Sequence, residues 1–158
     1  MTDRPTLLEL IEAVQIHLET QVIPAVKAEP KLYYQTLVAI NVLKIAGREL
    51  KYGYEQTRAE WARLNALTGV ALPLPPDPAA ASAALAEREA WLYDAIRAGA
   101  FDEADRRSAL LAHLLARAAG ALEIANPRFL ATLAEEDEAR RHTEAHERGE
   151  ASSNQGFK

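Results

Sequence analysis

Glu138, His142 and His146 recur every fourth residue in the stretch "EEDEARRHTEAHERGE". On a helix that spacing aligns three donors, and one carboxylate with two imidazoles is a set that zinc accepts. The surrounding residues are nearly all charged and offer no apolar stripe to fix them against a core. A working metal centre needs ligands oriented by a rigid outer layer, so no metal is expected here. The remaining histidines, His17 and His113, fall at the edges of apolar helix faces, where an imidazole is structural or exposed. Glu9, Glu49 and Glu123 lie beside apolar stripes. Each is expected to pair with an arginine such as Arg4, Arg48 or Arg128.

Other catalytic patterns are missing from the chain. There is no glycine-rich phosphate loop, no GxSxG turn and no cysteine, which removes the usual nucleotide cradle, serine nucleophile and thiol chemistry. Nothing in the residues composes a self-sufficient active site, and neither catalysis nor a cofactor is expected. What stands out is "TLVAINVLKIAGREL", Thr36 to Leu50. An apolar run of helix formers carries Asn41 at its centre and Arg48-Glu49 near its end. At about 100° per residue, Asn41, Arg48, Tyr34 and Tyr52 share one stripe, flanked by Leu37, Val38 and Ile45. Ala39, Ile40, Leu43, Ala46, Gly47 and Leu50 form the opposite face. The small residues there allow a neighbouring helix to approach closely. A buried Asn41 would hold register through a backbone partner. Arg48 suits a carboxylate or phosphate, or a salt bridge to a neighbouring helix.

The elements that position these residues follow from periodicity. Leu7, Ile11, Val14, Leu18 and Val22 mark a first helix from about Thr6 to Ile23, ended or kinked by Pro24. A second, long helix starts at Pro30, runs to about Tyr52 and can continue to a stop at Gly69. "LPLPPDP", residues 72–78, holds four prolines and divides the chain. Asp77 and Pro78 are the cap and first residue of a third helix, which stops near Gly99. Asp102 is expected to cap a fourth, with Leu111, Leu114, Leu115, Ala118 and Leu122 as its buried face. Asn126-Pro127 starts a fifth, pinned by Phe129, Leu130 and Leu133. The fold class expected is therefore all-α: one bundle of about five helices over residues 1–148, with a Pro-rich linker inside it. Residues 149–158 make a disordered tail after a flexible, charged end.

The bulk numbers agree with that class. The chain has 158 residues, 49% hydrophobic and 26% charged, with a net charge of −5. Such a balance fits a soluble globular domain and argues against nucleic-acid or anionic-membrane binding, which needs a basic surface. The opening "MTDRPTLLEL" has no signal pattern, and no run of eighteen apolar residues exists. A cytoplasmic protein is expected.

Several stretches together resemble a small bacterial helical family of a domain of unknown function. They are "RPTLLELIEAV" (Arg4 to Val14), Pro24, "VAINVLKIAGREL" (Val38 to Leu50), "IRAGAFD" (Ile96 to Asp102) and "LEIANPRFL" (Leu122 to Leu130). The resemblance spans residues 4 to 134. Members of that family resemble partners of aminoglycoside-phosphotransferase-like kinases found beside acyl-CoA dehydrogenases. One such pair is the 4-hydroxyacyl-CoA kinase of levulinate breakdown. The resemblance implies a non-catalytic accessory subunit of a kinase acting on hydroxyacyl-CoA thioesters. The positions it offers for partner or ligand binding are Arg4, Asn41, Arg48, Glu49 and Arg128. Two other readings stand beside it: a helical module that itself binds an acyl or CoA group, and a structural homodimer without ligand. Within the Asn41 stripe the expectation is divided, with Asn41 holding the bundle together and Arg48 serving the functional surface.

Overall fold

The computed structural model describes the backbone of residues 4–154 and the side-chain surroundings of residues 4–143. Among them every regular element is helical. Thr6 opens α1 (Leu7–His17) with a reciprocal capping box: its hydroxyl accepts from Glu9 N and the Glu9 carboxylate accepts from Thr6 N. This satisfies two of the unpaired donors at a helix start. A π-helical turn (Leu18–Val22) and α2 (Ile23–Val26) continue the same rod. Pro24 therefore does not end the helix. It lacks the N–H that an α-helix would use, and the turn before it widens so that Ile23 N donates to Leu18 O.

After a short turn comes α3 (Pro30–Thr68), an unbroken helix of 39 residues. It ends where Gly69 takes φ +70°, a left-handed conformation that glycine adopts without steric cost. The segment 70–76 is extended and is tied to α3 through Leu72, whose carbonyl accepts from Trp61 Nε1 (2.8 Å) and Asn65 Nδ2 (3.0 Å). Asp77 then caps α4 (Pro78–Arg97) by accepting from Ala80 N at 2.8 Å. A turn through Gly99 leads to α5 (Ala104–Ala125). Its N-cap is Glu103, one residue later than expected, and no side chain closes the cap. Asp102 instead supplies its carbonyl to Arg107 Nη2. Asn126 Oδ1 accepts from Phe129 N and opens α6 (Pro127–Asn154), as expected. α6 stays helical through residues 149–154 of the expected tail, while residues 155–158 lie outside the described region. Beyond Leu133 its side chains are exposed as far as they are described.

The core sits at one end. Trp61, Leu64, Leu85, Leu92, Phe101 and Leu110 form a single buried cluster from the second half of α3, α4, the turn after α4, and α5. The front half, α1 to α2 against the first half of α3, contributes only Ile40 to the fully buried apolar residues. α1 packs there through Leu8 and Ile11, which lie 3.6 and 3.9 Å from the position a Cβ on Gly47 would take. The small-residue face expected for close approach is thus used at Gly47. α5 is the described helix that is long and apolar enough to cross a membrane by composition alone. Here it packs in the bundle, where Glu89 and Glu60 meet its Arg117 and Gln56 meets its Glu123.

Candidate functional site

Leu37, Ile40 and Asn41, one turn before Lys44 and two before Arg48, bring the first half of α3 to the junction of α5 and α6. Together with Ala125, Asn126, Pro127 and Arg128 they line a cleft of about 230 Å³. Three of the five expected site residues, Asn41, Arg48 and Arg128, meet in it. Arg4 is exposed ahead of α1, and Glu49 is exposed on α3 outside this cleft.

The roles inside the cleft reverse the expected division. Arg48 Nε donates to Ile124 O, and Nη2 donates to Ala125 O at 3.4 Å. The last carbonyls of a helix have no intrahelical partner and carry partial negative charge, so a guanidinium there is stabilising. Arg48 thus clamps the end of α5 onto α3. Asn41 is exposed and is not a buried register-setting amide, and several apolar side chains near it on α3 are open too. Tyr34, Leu37, Val38 and Val42 are all exposed. Lys44, the third cation of the cleft, pairs with Glu19 at 2.7 Å and so ties the π turn to α3. Among the described residues none of Glu9, Glu49 and Glu123 pairs with Arg4, Arg48 or Arg128, and Glu49 is exposed. Glu9 closes the first cap, and Glu123 accepts from Gln56 Nε2.

A second polar assembly lies deeper, between α3, α4 and α5, and periodicity did not point to it. Arg117 Nε and Nη2 donate to the two oxygens of Glu89 at 3.0 and 2.7 Å, and Nη1 donates to Tyr93 Oη at 2.9 Å. Arg117 Nε also lies 2.8 Å from Glu60 Oε1. That contact is an ion pair without a directed hydrogen bond, since Glu60 Oε1 is buried with no hydrogen-bond partner. Burial, followed by repulsion from Glu89, pushes the Glu60 carboxyl above the usual carboxylate range. Arg117 keeps its charge: burial opposes it, and Glu89 with Glu60 more than offsets the penalty.

His113 stands beside this group, its Nε2 4.0 Å from Glu60 Oε1, with a side chain only 3% exposed. It is fully internal, not an edge residue. Both ring nitrogens are buried without a partner, as is Arg63 Nε. Burial, then the charges of Arg63 and Arg117, holds the imidazole below its ordinary range and therefore neutral. The sequence signal for this cluster was the spacing of Leu110, His113, Leu114 and Arg117. The Leu111/Leu115 register competes with it, and in the structure those two leucines are 54% and 71% exposed.

Among the described residues no group of three metal-ligating side chains is arranged to hold an ion. Glu138 and His142 are exposed, with 4.0 Å between their side chains, and the side chain of His146 is outside the described residues.

The elements and the two polar sites define a small all-α bundle protein with a well-packed end and an open end. Residues 26–129 match the family model DUF6285, a domain of unknown function, and the chain belongs to that family. Three of the stretches that suggested such a family, beginning at Val38, Ile96 and Leu122, fall within or across that span, whereas the first, Arg4 to Val14, precedes it. No curated protein and no solved structure matches the chain.

Proposed function

We propose that this chain is a non-catalytic accessory subunit that docks through its open end onto a phosphotransferase-fold kinase acting on hydroxyacyl-CoA thioesters. The observation that carries the docking is the row Tyr34, Leu37, Val38 and Val42. These apolar side chains recur along one face of α3, and each is exposed when the chain is alone. Leu7, Leu10 and Val14 on α1 are exposed as well. Apolar side chains exposed together along one helix face mark an interaction site. The adjacent cleft, with Arg48 and Arg128, offers positive charge at the rim of that surface. The choice of kinase as partner rests on the family resemblance. On this reading the chain works in the cytoplasm and leaves phosphoryl transfer to the partner.

The test is co-expression with a phosphotransferase-fold kinase that acts on hydroxyacyl-CoA thioesters, followed by affinity purification and activity measurement. Wild-type chain should co-purify and raise kinase turnover. The double substitution Val38→Asp/Val42→Asp should abolish co-purification with little change in the melting temperature of the free chain. A dimer that becomes monomeric in that variant, with kinase activity indifferent to the chain, would replace this reading with the structural homodimer.

A further inference from the structure

Tyr34, Leu37, Asn41, Lys44 and Arg48 follow one another along α3 at spacings of three, four, three and four. This is the repeat by which two helices meet side by side in a seam of interlocking side chains. Val38 and Val42 flank the seam, and together with Tyr34 and Leu37 they are exposed. Leu37 also lines the basic cleft, so the apolar row opens directly into it. The charges here are of one sign. Residues 30–48 hold Lys31, Lys44 and Arg48 and no carboxylate, in a chain whose net charge is −5. At about 100° per residue, Lys31 falls beside Val38 and Val42 on one edge of the row. Arg128 stands on the other edge, across the cleft from Leu37 and Lys44. Lys44 is engaged by Glu19, and Arg48 by the carbonyls of α5. Lys31 and Arg128 are exposed and form no ion pair among the described residues.

We propose that this face receives a single amphipathic helix of a partner protein, apolar along the stripe that meets Tyr34, Leu37, Val38 and Val42 and acidic along both flanks. The alternating spacing of three and four selects a helix over a strand, whose side chains repeat every second residue. The acidic flanks follow from Lys31 and Arg128 on the two edges, with no carboxylate on this part of α3 to oppose them. Asn41, in the middle of the seam, calls for a polar residue opposite it, the device by which paired helices fix their register. The proposal rests on the reading that the open end of the bundle docks a partner, and it names the element that docks. It holds for any partner that presents such a helix, kinase or not.

The probes are two fluorescent synthetic helices of about three heptads, both with leucine along the seam, one flanked by glutamate and the other by lysine. Each is titrated with the full chain and followed by anisotropy. The glutamate-flanked peptide should bind about tenfold tighter at low salt, against the net charge of the chain, and the gap should narrow as added salt screens it. Lys31→Glu/Arg128→Glu, at two exposed positions without ion pairs, should reverse the preference and leave the helical spectrum unchanged. Val38→Asp/Val42→Asp should abolish binding of both peptides. Equal binding of the two peptides, a preference unaltered by Lys31→Glu/Arg128→Glu, or no binding of either would overturn the proposal. A kinase that still co-purifies in that case would leave the docking reading standing with a different contact element. Selective binding of the acidic peptide without a co-purifying kinase would uphold the helix site and overturn only the choice of partner.

Discussion

Replacing Arg48 with alanine separates a structural clamp from a binding residue. In the structure its guanidinium holds Ile124 O and Ala125 O, the last carbonyls of α5. A hydrogen bond from a charged donor contributes about 1.5–3 kcal/mol. The second contact, at 3.4 Å and exposed, is long enough to add little. The first is only partly buried, so the whole loss should fall near 1.5–3 kcal/mol. For a chain of this size each kcal/mol moves the melting temperature by about 2–4 °C, which gives a fall of about 3–12 °C. Arg48→Lys should recover only part of it, because an ammonium cannot present the planar fork. Asn41→Ala, at an exposed amide on the same stripe, should stay within about 0.5 kcal/mol of wild type. The assay is urea unfolding of the three purified variants, followed by circular dichroism. Equal stability of Arg48→Ala and wild type would refute the clamp. A loss for Asn41→Ala as large as that for Arg48→Ala would refute the claim that the amide is idle in the free chain.

Leu64→Ala should be the most damaging of the simple truncations, at about 2–5 kcal/mol, because Leu64 is 1% exposed at the centre of the core; calorimetry of the variant checks it. Arg117→Met should cost about 1–3 kcal/mol, a range lowered for partial solvent screening of a side chain 37% exposed. Adding Glu60→Gln and Glu89→Gln should restore part of that loss, since the carboxylates are then no longer stranded, and denaturant midpoints of the single and triple variants decide it. The pH dependence follows from His113. Its folded pKa is depressed, so the unfolded chain gains a proton below the ordinary 6.5 that the native chain does not. Stability is then lost as pH falls through that value. Glu60 acts in the opposite sense, because its raised pKa penalises the native state at high pH and the penalty fades toward 4.5. The wild-type melting temperature should thus drop more between pH 7.5 and 6.0 than that of His113→Asn, as thermal melts at the two pH values will show.

Local chemistry was legible in the sequence where one residue decides the outcome. Pro30, Gly69, Asp77-Pro78 and Asn126-Pro127 each mark a boundary that the structure keeps. The all-α class followed from the same signals. The face of α5 did not. Leucines at 110, 111, 114 and 115 support two overlapping stripes, and periodicity cannot say which one meets the core. Tertiary packing chose Leu110 and His113. The Glu60–Glu89–Arg117 cluster was hidden for a related reason, since its members come from three helices and only their packing brings them together. Asn41, Arg48 and Arg128 line one cleft, yet the carbonyls that occupy Arg48 belong to another helix and leave no mark near it in the chain. Pro24 shows a local rule overridden, because a wider helical turn absorbs the missing donor.

The length of α3 has a hydrodynamic consequence. At 1.5 Å per residue its 39 residues span about 58 Å. A compact chain of 158 residues has a radius of gyration of about 15 Å, hence a diameter of about 39 Å. Such a rod diffuses more slowly than a sphere of equal mass and leaves a gel-filtration column early. Its elution volume alone would suggest a dimer even for single chains, so the number of copies in solution has to be taken from light scattering or sedimentation equilibrium, which weigh the particle without reference to its shape.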